Sequence, residues 1–215
     1  MNNSVHVVGI VASSVEHSHT TGNEKFFTFD IDIKRASGVV DTINVVISER
    51  FLMDTEIKEG DTVEIRGQYR SFSKINDEGV RSVQLFIFVK NIIVCDADVE
   101  HVNEVELNGC IAKCYKCRHT KTSRDVIDFT FKVCRDYTRF DYLTCIAWGR
   151  NAMFIEKLCG EEGKSDTMMH ITGRLQSRKY TKKYEDNTEE EKTVYELSVN
   201  DIQIIDETEQ ENEEA

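Results

Sequence analysis

Glu64-Ile65-Arg66-Gly67-Gln68-Tyr69-Arg70-Ser71 and His170-Ile171-Thr172-Gly173-Arg174-Leu175-Gln176-Ser177 are the same short design written twice in one chain. Each reads as a strand with a glycine inside it, at a place where a sheet must bend sharply and a side chain would obstruct closure. Outward from this pair the repetition continues in order. Val8-Gly9-Ile10-Val11 returns as Asn108-Gly109-Cys110-Ile111, Phe27-Thr28-Phe29 as Phe129-Thr130-Phe131, and Asp41-Thr42-Ile43-Asn44-Val45 as Asp141-Tyr142-Leu143-Thr144-Cys145. Asn91-Ile92-Ile93 returns as Asp201-Ile202-Gln203, and the offset stays between 100 and 110, drifting only where loops are expected. Five matches in order point to a duplication.

In the first unit Val5–Val11, Phe27–Ile33 and Thr42–Ile47 read as strands, with Phe27, Phe29, Ile31 and Ile33 on one face. Ser48–Ile57 reads as two or three helical turns ending near Gly60, and Thr62–Tyr69 and Val83–Val94 as two further strands. The polar stretch before Gly22-Asn23 reads as a loop. Three strands, a short helix after the third, then two more strands is the order of the oligonucleotide/oligosaccharide-binding (OB) fold, a small partly open barrel. The expected fold is therefore all-β: two tandem five-stranded OB barrels, at residues 1–98 and 104–205, followed by a disordered acidic tail at 206–215. The segment Asp98–Asn103 is short and acidic, so the barrels are expected to touch.

Composition narrows the function. The chain has 215 residues, 40% of them hydrophobic and 31% charged. It has no apolar run near the roughly 18 residues that would span a bilayer, and Met1–Val15 lacks a basic start followed by an apolar block, so the cytosol is the expected location and no membrane partner is implied. Seven cysteines, irregularly spaced within apolar patterns, read as reduced thiols buried as small apolar groups. A net charge of -12 disfavours a polyanionic partner until its distribution is considered. Residues 1–103 hold 10 Lys and Arg against 16 Asp and Glu, whereas 105–180 hold 14 against 9. The excess of base thus lies in one segment, and much of the remaining acid in Glu185-Asp186, Glu189-Glu190-Glu191 and the tail.

Within that segment Phe140-Asp141-Tyr142-Leu143-Thr144-Cys145-Ile146-Ala147-Trp148-Gly149-Arg150 alternates with period two. Leu143, Cys145 and Ala147 can enter a core, leaving Tyr142 and Trp148 on the other face with Arg139 and Arg150 flanking. Flat rings beside cations suit a base-bearing polyanion. An ordinary strand with aromatic core residues fits these residues equally well.

The second unit, through Leu107-Asn108-Gly109, Asp128-Phe129-Thr130-Phe131, Ile146-Ala147-Trp148-Gly149-Arg150-Asn151-Ala152 and Gly173-Arg174-Leu175-Gln176-Ser177-Arg178-Lys179-Tyr180, resembles the bacterial single-stranded DNA-binding (SSB) family over nearly all of residues 104–205. The resemblance implies base stacking on Tyr142, Trp148 and Tyr180, and on Tyr137 between the second and third strands. The cations in the same segments are Arg150, Arg174, Arg178, Lys179, Lys182 and Lys183, and, between the first two strands, Lys113, Lys116, Arg118, Lys121 and Arg124. These are suited to following a phosphate backbone without reading sequence. The first unit has Thr42, Ser48 and Lys74 where the second has Tyr142, Trp148 and Tyr180, and is expected to bind weakly or not at all, as a structural partner. Family members assemble from several single-barrel chains, so a homodimer with four barrels is expected here. The tail lacks the hydrophobic tip that in the family recruits replication and repair enzymes; an acidic tail can still compete with DNA for the basic surface.

Cys110, Cys114, Cys117 and His119 have metal-like spacing but no second spaced pair, and no metal or other cofactor is expected. Neither a nucleophile with a placed His and Asp nor a phosphate-cradling glycine loop is present, so the sequence does not read as an enzyme. The expected function is sequence-nonspecific binding and protection of single-stranded DNA, with RNA as a second candidate ligand, in replication, recombination or repair. The rival is an adaptor of a replisome or primosome that kept the fold and lost the ligand.

Overall fold

The computed structural model describes residues 2–75, 81–120, 122–136, 138–183 and 189–205, with the backbone alone at 74, 75, 81, 180, 182, 183, 190 and 192. Period-two stretches form the strands. The first unit comprises β1 (Asn3–Val11), β2 (Glu16–Thr21), β3 (Glu24–Lys34), β4 (Val40–Ser48), α1 (Glu49–Asp54), β5 (Thr62–Ile75) and β6 (Arg81–Cys95). The second comprises β7 (Asn103–Cys114), β8 (Arg118–His119), β9 (Asp125–Asp136), β10 (Arg139–Trp148), α2 (Arg150–Cys159), β11 (Ser165–Lys183) and β12 (Glu189–Ile204). In each unit five strands close into a barrel. The order is β3-β4-β6-β5-β1 with β3 pairing β1 in the first, and β7-β11-β12-β10-β9 with β9 pairing β7 in the second.

Gly67 and Gly173 stand where the register of β5 on β6 and of β11 on β12 shifts. A Cβ on either would collide with a carbonyl of the neighbouring strand, Phe88 O or Ser198 O. The absence of a side chain is what lets the strands bend past each other there.

Three expectations need correction. The polar stretch before Gly22 is not all loop: β2, exposed along its whole length, pairs with the outer end of β3. With no buried face it carries no hydrophobic alternation to betray it. The first helix is a single short segment ending at Asp54, with Ile57 beyond it, because the Thr55 backbone turns to an extended conformation. The thiols are not mostly sealed in the core: Cys145 and Cys159 are buried, Cys134 is exposed, and Cys95, Cys110, Cys114 and Cys117 are intermediate. Among the described residues no three His, Cys, Asp or Glu side chains gather as a metal site.

The two barrels are fused along β1 and β7, which pair antiparallel and make one 12-stranded sheet. The pairing is centred on Val5 opposite Val105, two equivalent positions of the repeat, so the units are related by a pseudo-two-fold axis there. A second seam has the same symmetry. Asp41 and Asp141, 0% and 1% exposed, each meet an arginine of their own unit, Arg35 or Arg135, and a backbone N–H of the other. Ser177 N donates to Asp41 Oδ1 at 2.8 Å and Ser71 N to Asp141 Oδ1 at 2.7 Å. The serine hydroxyls accept in turn from Thr42 N at 3.1 Å and Tyr142 N at 2.9 Å. A buried carboxylate is tolerable only when paired and hydrogen-bonded, so these contacts tie barrel to barrel with specific geometry.

Candidate nucleic-acid interface

On β10, Asp141, Leu143, Cys145 and Ala147 are buried, which turns Phe140, Tyr142, Thr144, Ile146 and Trp148 to the outer face. Tyr142 is 45% exposed, Trp148 41% and Phe140 40%. Trp148 stays open because the chain leaves the sheet immediately after it. Gly149 takes φ 56, its N–H bonds Asp125 O at 2.9 Å, and α2 begins at Arg150. Trp148, Arg150, Asn151, Phe154, Asn200, Asp201 and Ile202 line a shallow groove of ≈ 680 Å³.

Cations surround these rings. Lys132, across from Tyr142 in the β9–β10 register, places its ammonium 4.2 Å from the centre of the Phe140 ring. Lys113 Nζ lies 4.7 Å from the centre of the Tyr115 ring, itself 48% exposed. Neither lysine makes an ion pair among the described residues. Register also carries Arg174 to this face, through Ser198 opposite Ile146 and Arg174 opposite Ser198. Its Nε is buried without a hydrogen-bond partner among the described residues. Phe140, Lys132 and Tyr115 were not singled out from sequence. Phe140 shares its parity with Tyr142 and was in that sense readable; Tyr115 follows the end of a strand, where parity is lost.

Other cations are already engaged. Arg118 pairs with Asp128, which raises its pKa; Arg178 Nε is 3.3 Å from Glu196 Oε2, and Lys179 Nζ 2.9 Å from Glu191 Oε1. Glu196 is 1% exposed and also accepts from Gln176 Nε2 at 2.6 Å, so Arg178 balances a charge the barrel has buried. Lys116 and Arg150 are exposed. In the β11–β12 arm Tyr180 stands opposite Lys192, Lys182 opposite Glu190 and Lys183 opposite Glu189. The side chains of Tyr180, Lys182 and Lys183 lie outside the described residues, as do Tyr137, Lys121, Glu185, Asp186 and the tail 206–215.

The equivalent face of the first barrel has different chemistry. Thr42 stands opposite Asp32 and Asn44 opposite Asp30, where the second barrel has Tyr142 opposite Lys132 and Thr144 opposite Thr130. Thr42 Oγ1 donates to Asp32 Oδ1 at 2.6 Å and Asn44 Nδ2 to Asp30 Oδ1 at 2.9 Å. Those polar groups satisfy one another, and the row carries carboxylates in place of rings and lysine.

Residues 102–205 match the model of the single-strand binding protein family. The matched residues are those of the second barrel, a little under half of the chain. Two solved structures share the fold of the whole chain. One is a deletion mutant of the single-stranded DNA binding protein from Thermus aquaticus that also carries an arginine-to-alanine substitution, 16% identical over 95% of each chain with a TM-score of 0.74. The other is the wild-type protein from the same organism, 15% identical over 95% of this chain and 93% of that one, with a TM-score of 0.71. No curated protein sequence is significantly similar to the chain. In the barrel that matches the family model the exposed rings lie on the third strand and at its end, and the match does not extend into the first barrel.

Proposed function

We propose that the chain binds single-stranded DNA with little sequence preference, mainly through its second barrel. Bases would stack on Trp148, Tyr142 and Phe140, with Tyr180 on the arm. Phosphates would lie along Lys132, Lys113, Lys116, Arg150 and Arg174, and less along Arg118, Arg178, Lys179 and Lys182, which meet or face carboxylates. The observation that carries this is a strand whose three outward rings are each at least 40% exposed beside lysines that make no ion pair with a described residue. Each stacked base is worth about 1–3 kcal/mol, so a few platforms suffice for useful affinity. Salt dependence then follows from release of counterions. Protection of exposed strands during replication, recombination or repair is the role that such binding serves, and a homodimer would present four barrels.

The test is the anisotropy of labelled oligo(dT) against protein concentration at several salt concentrations, for the parent chain, Tyr142→Ala and Lys132→Gln. Tyr142→Ala should weaken binding about five-fold or more, and Lys132→Gln should flatten the salt dependence by about 0.7 in log–log slope. An adaptor that has lost the ligand would bind no oligonucleotide at any salt. Oligo(U) in parallel separates DNA from RNA preference.

A further inference from the structure

The first barrel lacks rings on its third strand but has them on its last. Across its outer face one row runs Thr28, Val46, Phe88, Gln68. The equivalent row of the second barrel runs Asp128, Ile146, Ser198, Arg174. Phe88 therefore occupies the place of a serine, and around it a cluster has been built. The Arg70 guanidinium lies over the Phe88 ring, 3.8 Å from its centre, and Lys90 Nζ lies 5.3 Å from the same centre. Phe26 is 6.0 Å from Phe88, centre to centre, and its own ring is stacked by His19 at 5.0 Å.

These cations form no direct ion pair among the described residues. Arg70 Nε and Nη2 both bond the neutral Gln68 Oε1, at 3.2 and 2.7 Å. Neither Arg70 nor Lys90 makes an ion pair with any described residue. Burial, with Arg135 and Arg139 nearby, pulls Arg70 down to about 10 against the opposing effect of Asp141 and Asp136, and burial with Arg70 and Arg50 pulls Lys90 down. Like charges held together at this cost are relieved by a bound anion.

The cluster also connects to the second barrel. On β5, Arg70 touches Phe88, the next residue Ser71 accepts from Tyr142 N at 2.9 Å, and the one after, Phe72, is 56% exposed. The Tyr142 contact, the exposed Phe72 ring and the Arg70–Phe88 cluster thus lie at consecutive positions of one strand.

We propose that Phe26, Phe88, Arg70 and Lys90 form a second contact for the same single strand, on the first barrel and at positions different from those used on the second. It rests on DNA binding by the second barrel. The strand would pass from Trp148 and Tyr142 across the seam at Ser71 to the Phe88 ring, with phosphates on Arg70 and Lys90.

The experiment compares the whole chain with two variants, Phe88→Leu and the surface pair Lys90→Gln with Arg70→Gln. Each binds an oligo(dT) of about 8 nucleotides, within the roughly 4–16 that one OB barrel occupies, and one of about 30. Both variants should lose about ten-fold in affinity for the long oligonucleotide and keep the parent's affinity for the short one. The surface pair should also lower the log–log salt slope for the long one by about 1.4. Unchanged affinity and slope for the long oligonucleotide in both variants would overturn the second contact while leaving the second barrel's binding intact. Loss confined to the charge variant would overturn the stacking role and mark a general anion surface, such as one for an acidic peptide. Failure of the parent chain to bind even the short oligonucleotide would overturn the underlying function as well.

Discussion

The aspartates at the seam show how much a single residue can carry here. Asp41 and Asp141 are charged residues near the starts of β4 and β10. In the fold each is sealed against an arginine of its own barrel and a peptide N–H of the other. Replacing Asp141 by Asn leaves Arg135, 22% exposed, without its counter-charge. Breaking a buried pair from one side typically costs about 3–5 kcal/mol, so Asp141→Asn should lower the urea midpoint strongly, and Asp41→Asn should do the same by symmetry. A change below about 0.5 kcal/mol in both, the range of an ordinary surface substitution, would show that the seam does not hold the barrels together. The repetition of Asp41-Thr42 as Asp141-Tyr142 was visible in the sequence, but the seam was not. Its acceptors meet backbone N–H groups more than 60 residues away, and a backbone partner leaves no side-chain signature.

At the scale of the element, legibility followed burial. Strands with one face in a core, such as Phe27–Ile33 within β3 and Leu143–Ala147 within β10, were readable from alternation alone, because burial imposes period two. So were the bending glycines, whose meaning is steric. Gly173→Ala would set a Cβ against Ser198 O and should cost about 1–3 kcal/mol in unfolding free energy, with β11 and β12 losing amide protection first. Wild-type stability in that variant would mean the bend does not need the glycine. β2 and β8 were not readable, since one is exposed throughout and the other is two residues long. The rings on β10 were legible through period and family resemblance together. Phe88 was not, because the first barrel carries its rings on the last strand, where the second barrel has a serine and offers no aromatic to match.

For the whole molecule, a net charge of -12 coexists with a basic, ring-bearing face because the acid is placed elsewhere: in the Asp30–Asp32 row and in the carboxylates of β12. Acid in such rows repels a polyanion and so favours the basic face as the route for one. The core imposes a second global property. Burial raises the pKa of Cys114 to about 12, and also raises those of Cys145, Cys159 and the Tyr69 hydroxyl. In the unfolded chain such thiols ionise near pH ~8.5. The folded form therefore holds protons that the unfolded form releases, and stability should be undiminished below about pH 8 and fall as pH rises from there toward about 12. Urea midpoints measured across that range check the sign, and a midpoint rising with pH would contradict it.

Trp148 is the only tryptophan in the chain, so its emission reports on one point of the interface. Titrating oligo(dT) into the intact protein at low and high salt, while following that emission, tests the stacking of bases on β10 most directly. Saturable quenching, weakening as salt rises and reduced in affinity by Tyr142→Ala, is the predicted result. Emission unaltered by an oligonucleotide that anisotropy shows to be bound would place the strand somewhere other than on these rings.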